Sequence, residues 1–187
     1  MNQTIQKLFD RKSVRAYRDE KITLEEKNLI LQSAIQAPTA GNMALYSIID
    51  VQDQQLKDQL ANTCDHQPFI SQAPMVLLFL ADYQKWYDMY CTYHNEDFKL
   101  EEADMILALE DAMIAAQNAV MGAWSLGIGS CYIGDILENF EIHQELFNLP
   151  KYAIPATLLV LGKPTLQQQN RPKPQRFDLA DMVSVNT

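Results

Sequence analysis

The arginines are the residues of this sequence best suited to bind a ligand, and all five lie near its two ends. They are Arg11, Arg15, Arg18, Arg171 and Arg176. A guanidinium group recognises phosphate in a bidentate manner that a lysine ammonium cannot match. In an extended strand alternate side chains share a face, so Arg11, Ser13 and Arg15 should project together. The pattern predicts an anion site; the alternative is a charged surface strand with a basic tail.

The chain as a whole is acidic, with 15 Lys+Arg against 24 Asp+Glu, a net charge of −9 and a pI near 4.7. Nucleic acid and anionic membranes would be repelled by this average field, so we expect neither as a partner. A small anionic ligand fits the local basic clusters better. With 187 residues, 48% of them hydrophobic, and no break in composition, residues 1–187 are expected to form one domain.

The cysteines and the apolar segments indicate a cytoplasmic protein. Cys64, Cys91 and Cys131 are odd in number and lack a Cys-x-x-Cys pair, which is typical of free thiols in a reducing compartment. Residues 1–10 show a short amphipathic pattern and no signal-peptide core. The apolar stretch at 103–126 is interrupted by charges that are costly in a bilayer, so it is predicted to be a soluble helix.

The sequence allows two functional interpretations of the cysteines. A two-Cys, two-His zinc site would use Cys64, His66, Cys91 and His94, although no knuckle pattern flanks them. Alternatively, Cys131 follows a glycine turn and would act as a nucleophile. Its histidine partner would be His66, His94 or His143, and the last is expected to be solvated on a polar helix. A dinucleotide loop is rejected, because Gly127 and Gly129 follow a helix and Tyr132 stands at the third glycine position.

The elements that must position these residues alternate between helices and strands. The sequence predicts helices near 24–37, 53–62, 101–126 and 138–146, and strands near 46–51, 75–80 and 156–162, with a short strand or loop at 130–134. Capping-box spacing from Thr23 opens the first helix, whose buried stripe is predicted at Leu24, Leu31, Ala34 and Ile35. Such irregular alternation favours an α/β or α+β fold over a doubly wound parallel sheet.

An aromatic-rich segment occupies residues 82–100. Tyr83, Trp86, Tyr87 and Tyr90 follow helical spacing, and Tyr93 and Phe98 come after them. Such a stripe is usually core packing; the alternative is a flap over a ligand or a partner surface.

Four motifs, in order along nearly the whole chain, resemble those of the FMN-dependent nitroreductase family. They are Arg-Lys-Ser-Val-Arg-Ala-Tyr at 11–17, Pro-Thr-Ala-Gly-Asn at 38–42, Gly-Ile-Gly-Ser-Cys-Tyr-Ile-Gly at 127–134 and Arg-Phe-Asp-Leu at 176–179. The resemblance implies an α+β sandwich with a central mixed, mostly antiparallel sheet flanked by helices. It further implies an intertwined homodimer with FMN at the subunit interface, residues 82–100 as a flap and residues 171–187 as a tail that wraps the partner.

The resemblance implies cofactor contacts from both ends and from the middle of the chain. They are Arg11, Ser13, Arg15, Pro38, Thr39, Ala40, Gly41, Asn42, Gln67, Tyr132, Ile133, Gly134, Lys173 and Arg176. Arg11 and Arg176, assisted by Lys173, would hold the phosphate, and Ser13 the phosphate or ribityl chain. Arg15 would lie by the flavin N1 and O2 edge, where a cation stabilises charge on the reduced ring.

The remaining contacts surround the ring. Ile133 and Gly134 would approach N5 with their backbone, and Gln67 would face the isoalloxazine. The Pro38–Asn42 motif would come from the other subunit. Three positions depart from the usual family pattern: Ala44, Asp135 and Pro174.

The implied activity is ping-pong hydride transfer from NAD(P)H through FMN to a small planar acceptor, such as a nitroaromatic, a quinone or a flavin. No side chain would act as nucleophile and no metal is expected. Trp86 and Tyr90 would cover the stacking face as substrate contacts. The alternatives are dehalogenation or flavin cleavage on the same fold, and a flavin-binding protein without turnover.

Overall fold

The computed structural model describes residues 1–94 and 98–186, and within them a four-stranded sheet is the central element. Its strands are β1 (Tyr46–Asp50), β2 (Met75–Asp82), β3 (Gly129–Ile133) and β4 (Ala153–Gly162), in the order β1-β2-β4-β3. All three strand pairs are antiparallel, and an isolated bridge between Ser13 and Ser130 adds a parallel contact. The prediction of a mostly antiparallel sheet is therefore confirmed.

The two faces of the sheet are covered by different helical layers. The described helices are α1 (Gln3–Asp10), α2 (Leu24–Ile35), α3 (Gln54–Thr63), α4 (Pro68–Ser71), α5 (Gln84–His94), α6 (Glu102–Ser125), α7 (Phe140–Leu146), α8 (Leu166–Asn170) and α9 (Leu179–Met182). Because side chains alternate along a strand, Leu77 and Phe79 of β2 pack toward α2 and α6, whereas Val76 and Leu78 pack toward α3 and α4. The molecule is thus an α+β sandwich, as expected.

Helix α2 begins at the predicted capping box, but only half of its predicted buried stripe is correct: Ala34 is buried and Leu31 packs against the core. Thr23 Oγ1 accepts from Glu26 N at 3.1 Å, and the Glu26 carboxylate accepts from Thr23 N at 2.7 Å. Leu24 and Ile35 are 72% and 63% exposed, whereas Ile30 and Ala34 are buried. The packing of α2 against α6 determines which of its residues are buried. A Cβ on Gly122 of α6 would lie 2.6 Å from Ser33 Oγ of α2, so the glycine permits the two helices to approach closely.

Helix α6 has two apolar faces. A row of alanines, including Ala108, Ala112 and Ala119, is fully buried against the sheet and α2. On the opposite side Ile106, Met113 and Ile114 remain exposed. The helix ends at Ser125, and Gly127 two residues later adopts the left-handed conformation, with a φ of +76°, that often follows a helix. Within the described parts of the chain, no helix combines the length and apolarity needed to cross a membrane.

Candidate functional site

Arg11 lies beside β3 with its guanidinium group only partly satisfied. Its Nη2 atom is 3.5 Å from Ser130 Oγ, and its Cζ atom is 5.8 Å from the centroid of the Tyr132 ring. The Nε atom is buried without a hydrogen-bond partner. Burial lowers the pKa of Arg11, and the positive charge of the nearby Arg176 adds to the lowering. A half-buried cation with an unpartnered Nε atom, next to a second cation, is a site that an anion would complete.

Ser13 and Arg15 meet at the next residue of β3, the Cys131 thiol. Burial raises the pKa of Cys131, and the Arg15 charge, the Arg11 charge and a hydrogen bond from Ser13 only partly oppose this effect. All three residues of the predicted cluster therefore act on the pKa of Cys131. They do so from an extended segment held to β3, in which Val14 N donates to Ser130 O at 2.9 Å and the Val14 side chain fills the core above Gly129.

The same geometry weighs against Cys131 as a nucleophile. The reactive species is the thiolate, and burial keeps this thiol protonated. Cys64 lies 4.0 Å from His143 Nε2, away from Cys91 and His94, and burial raises its pKa to about 12. Among residues 1–94 and 98–186, no group of three or more potential metal ligands comes together.

His143 is fully buried, so the prediction that it is solvated is wrong. Its two ring nitrogens lie 2.8 Å from Ile136 O and 2.8 Å from Thr63 Oγ1. Helix α7 packs this polar residue inward because both nitrogens find partners there. The histidine is a structural link between α3 and α7.

Five cation-to-carbonyl contacts join the two ends of the chain. Lys12 Nζ donates to Gln169 O at 2.7 Å and to Arg171 O, and Arg171 Nη2 donates to Ser13 O at 2.6 Å. Lys173 Nζ donates to the carbonyls of Leu8 and Phe9 at the end of α1. We call residues 8–13 and 169–173 the terminal latch. Lys173 therefore orders the latch, and Arg176 is the tail residue that approaches Arg11.

Gln67 and Asp135 meet at the end of β3. Gln67 Nε2 donates to Asp135 Oδ2 at 2.9 Å and to Cys64 O at 3.0 Å. Two residues after Gln67, the Phe69 ring lies 6.0 Å from the Arg15 guanidinium carbon. Ile133 is buried, whereas a Cβ on Gly134 would meet no heavy atom within 4 Å. Gln67 thus lies near the end of β3, where the backbone of Gly134 is open to solvent.

The Pro38–Asn42 motif is held by a buried carboxylate that the sequence pattern did not single out. Asp111 of α6 is 2% exposed and accepts from Ala40 N at 2.9 Å and from Leu45 N at 3.0 Å. Between these two anchors the chain bends through Gly41, Asn42 and Ala44, all at positive φ. The only sequence signal for Asp111 is an acidic residue inside an apolar helical run.

Helix α5 carries the predicted aromatic stripe onto this loop. Trp86 Nε1 donates to Met43 O at 2.9 Å. Met43, Trp86, Tyr90 and Phe98 are among the residues that line a cavity of about 390 Å³. Residues 95–97 of the predicted flap lie outside the described residues.

Within one chain the arginines and the Pro38–Asn42 loop lie at opposite edges of the sheet. The loop leads into β1, and the arginines flank β3, with β2 and β4 between them. Adjacent strands are about 4.8 Å apart, which separates the two edges by about 14 Å. One chain does not bring all the predicted contacts together.

The fold is that of the nitroreductases among solved structures. It superimposes on NfrA1 nitroreductase from B. subtilis with a TM-score of 0.91 and 28% identity, covering 99% of this chain and 74% of that one. It also superimposes on the NADPH:FMN oxidoreductase from Vibrio harveyi complexed with NAD+, with a TM-score of 0.90 and 27% identity, covering 100% and 78%.

A model of the Nitroreductase family matches residues 8–163, and the chain belongs to this family. The FMN reductase (NAD(P)H) of Bacillus subtilis (strain 168) is 34% identical over 177 residues, which cover 92% of this chain and 70% of that protein. The oxygen-insensitive NADPH nitroreductase of Salmonella typhimurium is 31% identical over 174 residues, with the same coverage.

Proposed function

We propose that this protein is an FMN-dependent oxidoreductase that takes hydride from NAD(P)H and passes it to a planar oxidised acceptor. The observation that carries the proposal is the buried, unpartnered Nε atom of Arg11 beside Arg176, because it marks an anion site where the FMN phosphate would bind. Two relatives, an FMN reductase and an NADPH nitroreductase, support the same activity. Nitroaromatics, quinones and free flavins are the proposed acceptor classes.

The residues around β3 fit an FMN molecule. Arg11 and Arg176 would neutralise the phosphate and Ser13 would bind the phosphate or ribityl chain, while the open space over Gly134 leaves room for a flat ring. Arg15 supplies a cation for charge that develops on the N1 and O2 edge. When bound, FMN accepts hydride at N5 and donates it to the second substrate, so no side chain need act as nucleophile.

The second half of the site would come from a partner subunit. A flavin held at β3 is too far from its own Pro38–Asn42 loop, so we propose that this loop reaches it from the other chain of a homodimer. The exposed apolar face of α6, with Ile106, Met113 and Ile114, is a surface of the kind that dimers bury. Residues 171–187 would wrap the partner beyond the terminal latch; Thr187 lies outside the described residues.

The cavity under α5 would receive the acceptor. Its lining is mostly aromatic and apolar, which suits a planar oxidant that stacks. Trp86 and Tyr90 are the proposed substrate contacts, and residues 82–100 the proposed flap.

We further propose one domain over residues 1–187 and a cytoplasmic location, with which the three free cysteines agree.

The proposal is tested by FMN binding to three proteins: wild type, R11A and R18A. Arg18 is the matched control, because it forms an exposed ion pair with Glu20 at 3.2 Å. We expect R11A to weaken FMN binding by about tenfold or more, since a charged hydrogen-bond donor is lost, and R18A to leave it unchanged. Fluorescence titration measures the dissociation constants, and anaerobic NADPH should bleach the yellow wild-type protein.

Two results would contradict the proposal. A wild-type protein that stays colourless after incubation with FMN would show that FMN is not its cofactor. A yellow protein that NADH and NADPH both fail to bleach would instead be a flavin-binding protein without turnover, and identification of the reaction products separates reduction from dehalogenation or flavin cleavage.

A further inference from the structure

The Gln67 side chain has one end fixed by its neighbours. Its Nε2 atom donates to Asp135 Oδ2 and to Cys64 O, at 2.9 and 3.0 Å. A carboxylate and a backbone carbonyl can only accept hydrogen bonds, so the NH2 end of the amide is the end that must face them. The chemistry of the two neighbours therefore determines which way the amide is turned.

The carbonyl oxygen of the same amide is left over for a ligand. Across residues 1–94 and 98–186, no donor reaches Gln67 Oε1, and the side chain is half-buried. Gly134, next to Asp135, is exposed and has open space where a Cβ would be. Without Asp135, only the Cys64 carbonyl would hold the amide, and a single hydrogen bond lets the amide turn more readily.

We infer that Asp135 is a positioning residue that acts through Gln67, turning its amide so that it offers an acceptor, and not a donor, to the bound ligand. This rests on the proposed function, in which the ligand is the isoalloxazine ring of FMN. An acceptor can pair with N–H groups of the ring but gives nothing to its oxygens and unprotonated nitrogens, which carry the negative charge after reduction. Asp135 therefore keeps the reduction potential of the bound flavin lower than a freely turning amide would.

A double-mutant cycle tests whether Asp135 acts through Gln67. The four proteins are wild type, D135N, Q67M and D135N/Q67M, each loaded with FMN. Asparagine can donate as well as accept, so D135N frees the amide to turn, whereas methionine keeps the length of the side chain and has no amide. The measurement is the midpoint potential of the bound flavin, which reports the ratio of its affinities in the oxidised and reduced forms.

We expect D135N to shift this affinity ratio about tenfold toward reduced FMN, the size of one hydrogen bond to a charged group. In the Q67M background the same substitution should shift it less than about twofold. An equal shift in both backgrounds would overturn the inference, because Asp135 would then act by its charge alone. Absence of a shift in either background would overturn it as well.

Two further measurements separate this result from other failures. The unfolding temperature of each variant shows whether a substitution only weakens the fold, and D135G provides a second way to remove the carboxylate if D135N does not fold. The FMN affinity of the wild type is measured first. A wild type that binds no FMN contradicts the proposed function itself, whereas a wild type that binds FMN but shows no coupling contradicts only the role of Asp135.

Discussion

Asp111 shows how one buried charge can shape a binding loop. The carboxylate lies almost completely out of solvent and accepts two backbone N–H groups, from Ala40 and Leu45, on either side of three left-handed residues. Left-handed backbone at Asn42 and Ala44 is unfavourable for residues with a Cβ, so external contacts must hold it. The loop that would line the flavin thus depends on a residue of α6 that need not touch the cofactor.

Replacing Asp111 with asparagine should destabilise the protein by about 2 kcal/mol. The amide retains one acceptor oxygen, so one of the two backbone N–H groups would face a second donor in a buried place. Urea unfolding measures the loss. The matched control is E110Q, at the exposed neighbour on the same helix, which should stay within about 0.5 kcal/mol of wild type. Equal stability of D111N and wild type would show that the two N–H groups find other partners.

His143 should make stability depend on pH. Burial lowers the pKa of its ring more than the hydrogen bond with Ile136 O raises it, so the folded state binds the proton less well than the unfolded state. The free energy of unfolding should therefore fall as the pH drops below about 6.5, the ordinary pKa of histidine, and be fully present above it.

The variant H143Q tests this dependence by denaturant unfolding between pH 7.5 and pH 5.5. Glutamine removes the titrating ring, so its stability should change less over this range than that of the wild type. H66Q, at an exposed histidine, is the control and should keep the wild-type slope. Identical slopes for H143Q and wild type would assign the pH dependence to other groups.

At the scale of elements, short sequence motifs predicted the features that neighbouring residues in the sequence determine. The capping box of α2 and the strands β2 and β4 lie where the sequence predicts them. The buried face of α2 was predicted only in part: Ala34 is buried as expected, but the apolar residues of the helix allow more than one stripe, and packing against α6 buries Ile30 and leaves Leu24 and Ile35 exposed. The burial of His143 and the hydrogen bonds from the Pro38–Asn42 loop to Asp111 depend on partners far away in the sequence.

Helix α5 carries a prediction about substrate choice. The Trp86 ring lines the aromatic cavity and its indole N–H holds Met43 O. W86A should change the relative kcat/KM for a nitroaromatic and a quinone by about tenfold, because stacking area is lost, while the FMN content stays the same. W86F, which keeps a ring without the N–H group, should change this ratio less.

The other tryptophan of the sequence, Trp124 of α6, provides the control. It lies outside the aromatic cavity, so W124F should leave the acceptor ratio unchanged. If W86A also leaves the ratio unchanged, Trp86 contributes only packing to α5.

At the scale of the whole molecule, the two groups of residues in the proposed site lie at opposite edges of the sheet of one chain. The Arg11 group lies by β3 and the Asp111-held loop leads into β1. An apolar face of α6 is left exposed. A two-fold dimer through that face would place the loop of each chain near the arginines of the other, and then every site would need two folded subunits.

A charge in the exposed apolar face of α6 should both dissociate the dimer and weaken FMN binding. I114E places a carboxylate on α6 where Ile114 is 42% exposed, and we expect a monomer with at least tenfold weaker FMN binding, since a buried unpaired charge at an interface costs several kcal/mol. Light scattering after gel filtration measures the mass. The control is I142E on α7, where Ile142 is 52% exposed and no dimer face is proposed. A dimeric I114E with full FMN content would contradict the shared site.

The terminal latch also has a consequence for biosynthesis. Arg171 donates to the carbonyl of Ser13, 158 residues earlier, and Arg176 follows in the same segment to approach Arg11. A ribosome synthesises Arg11 and Ser13 long before Arg171 and Arg176. A nascent chain therefore exposes the first two residues before the other two exist. In the proposed site, the FMN phosphate would therefore be held fully only after Arg176 has been synthesised and has left the ribosome.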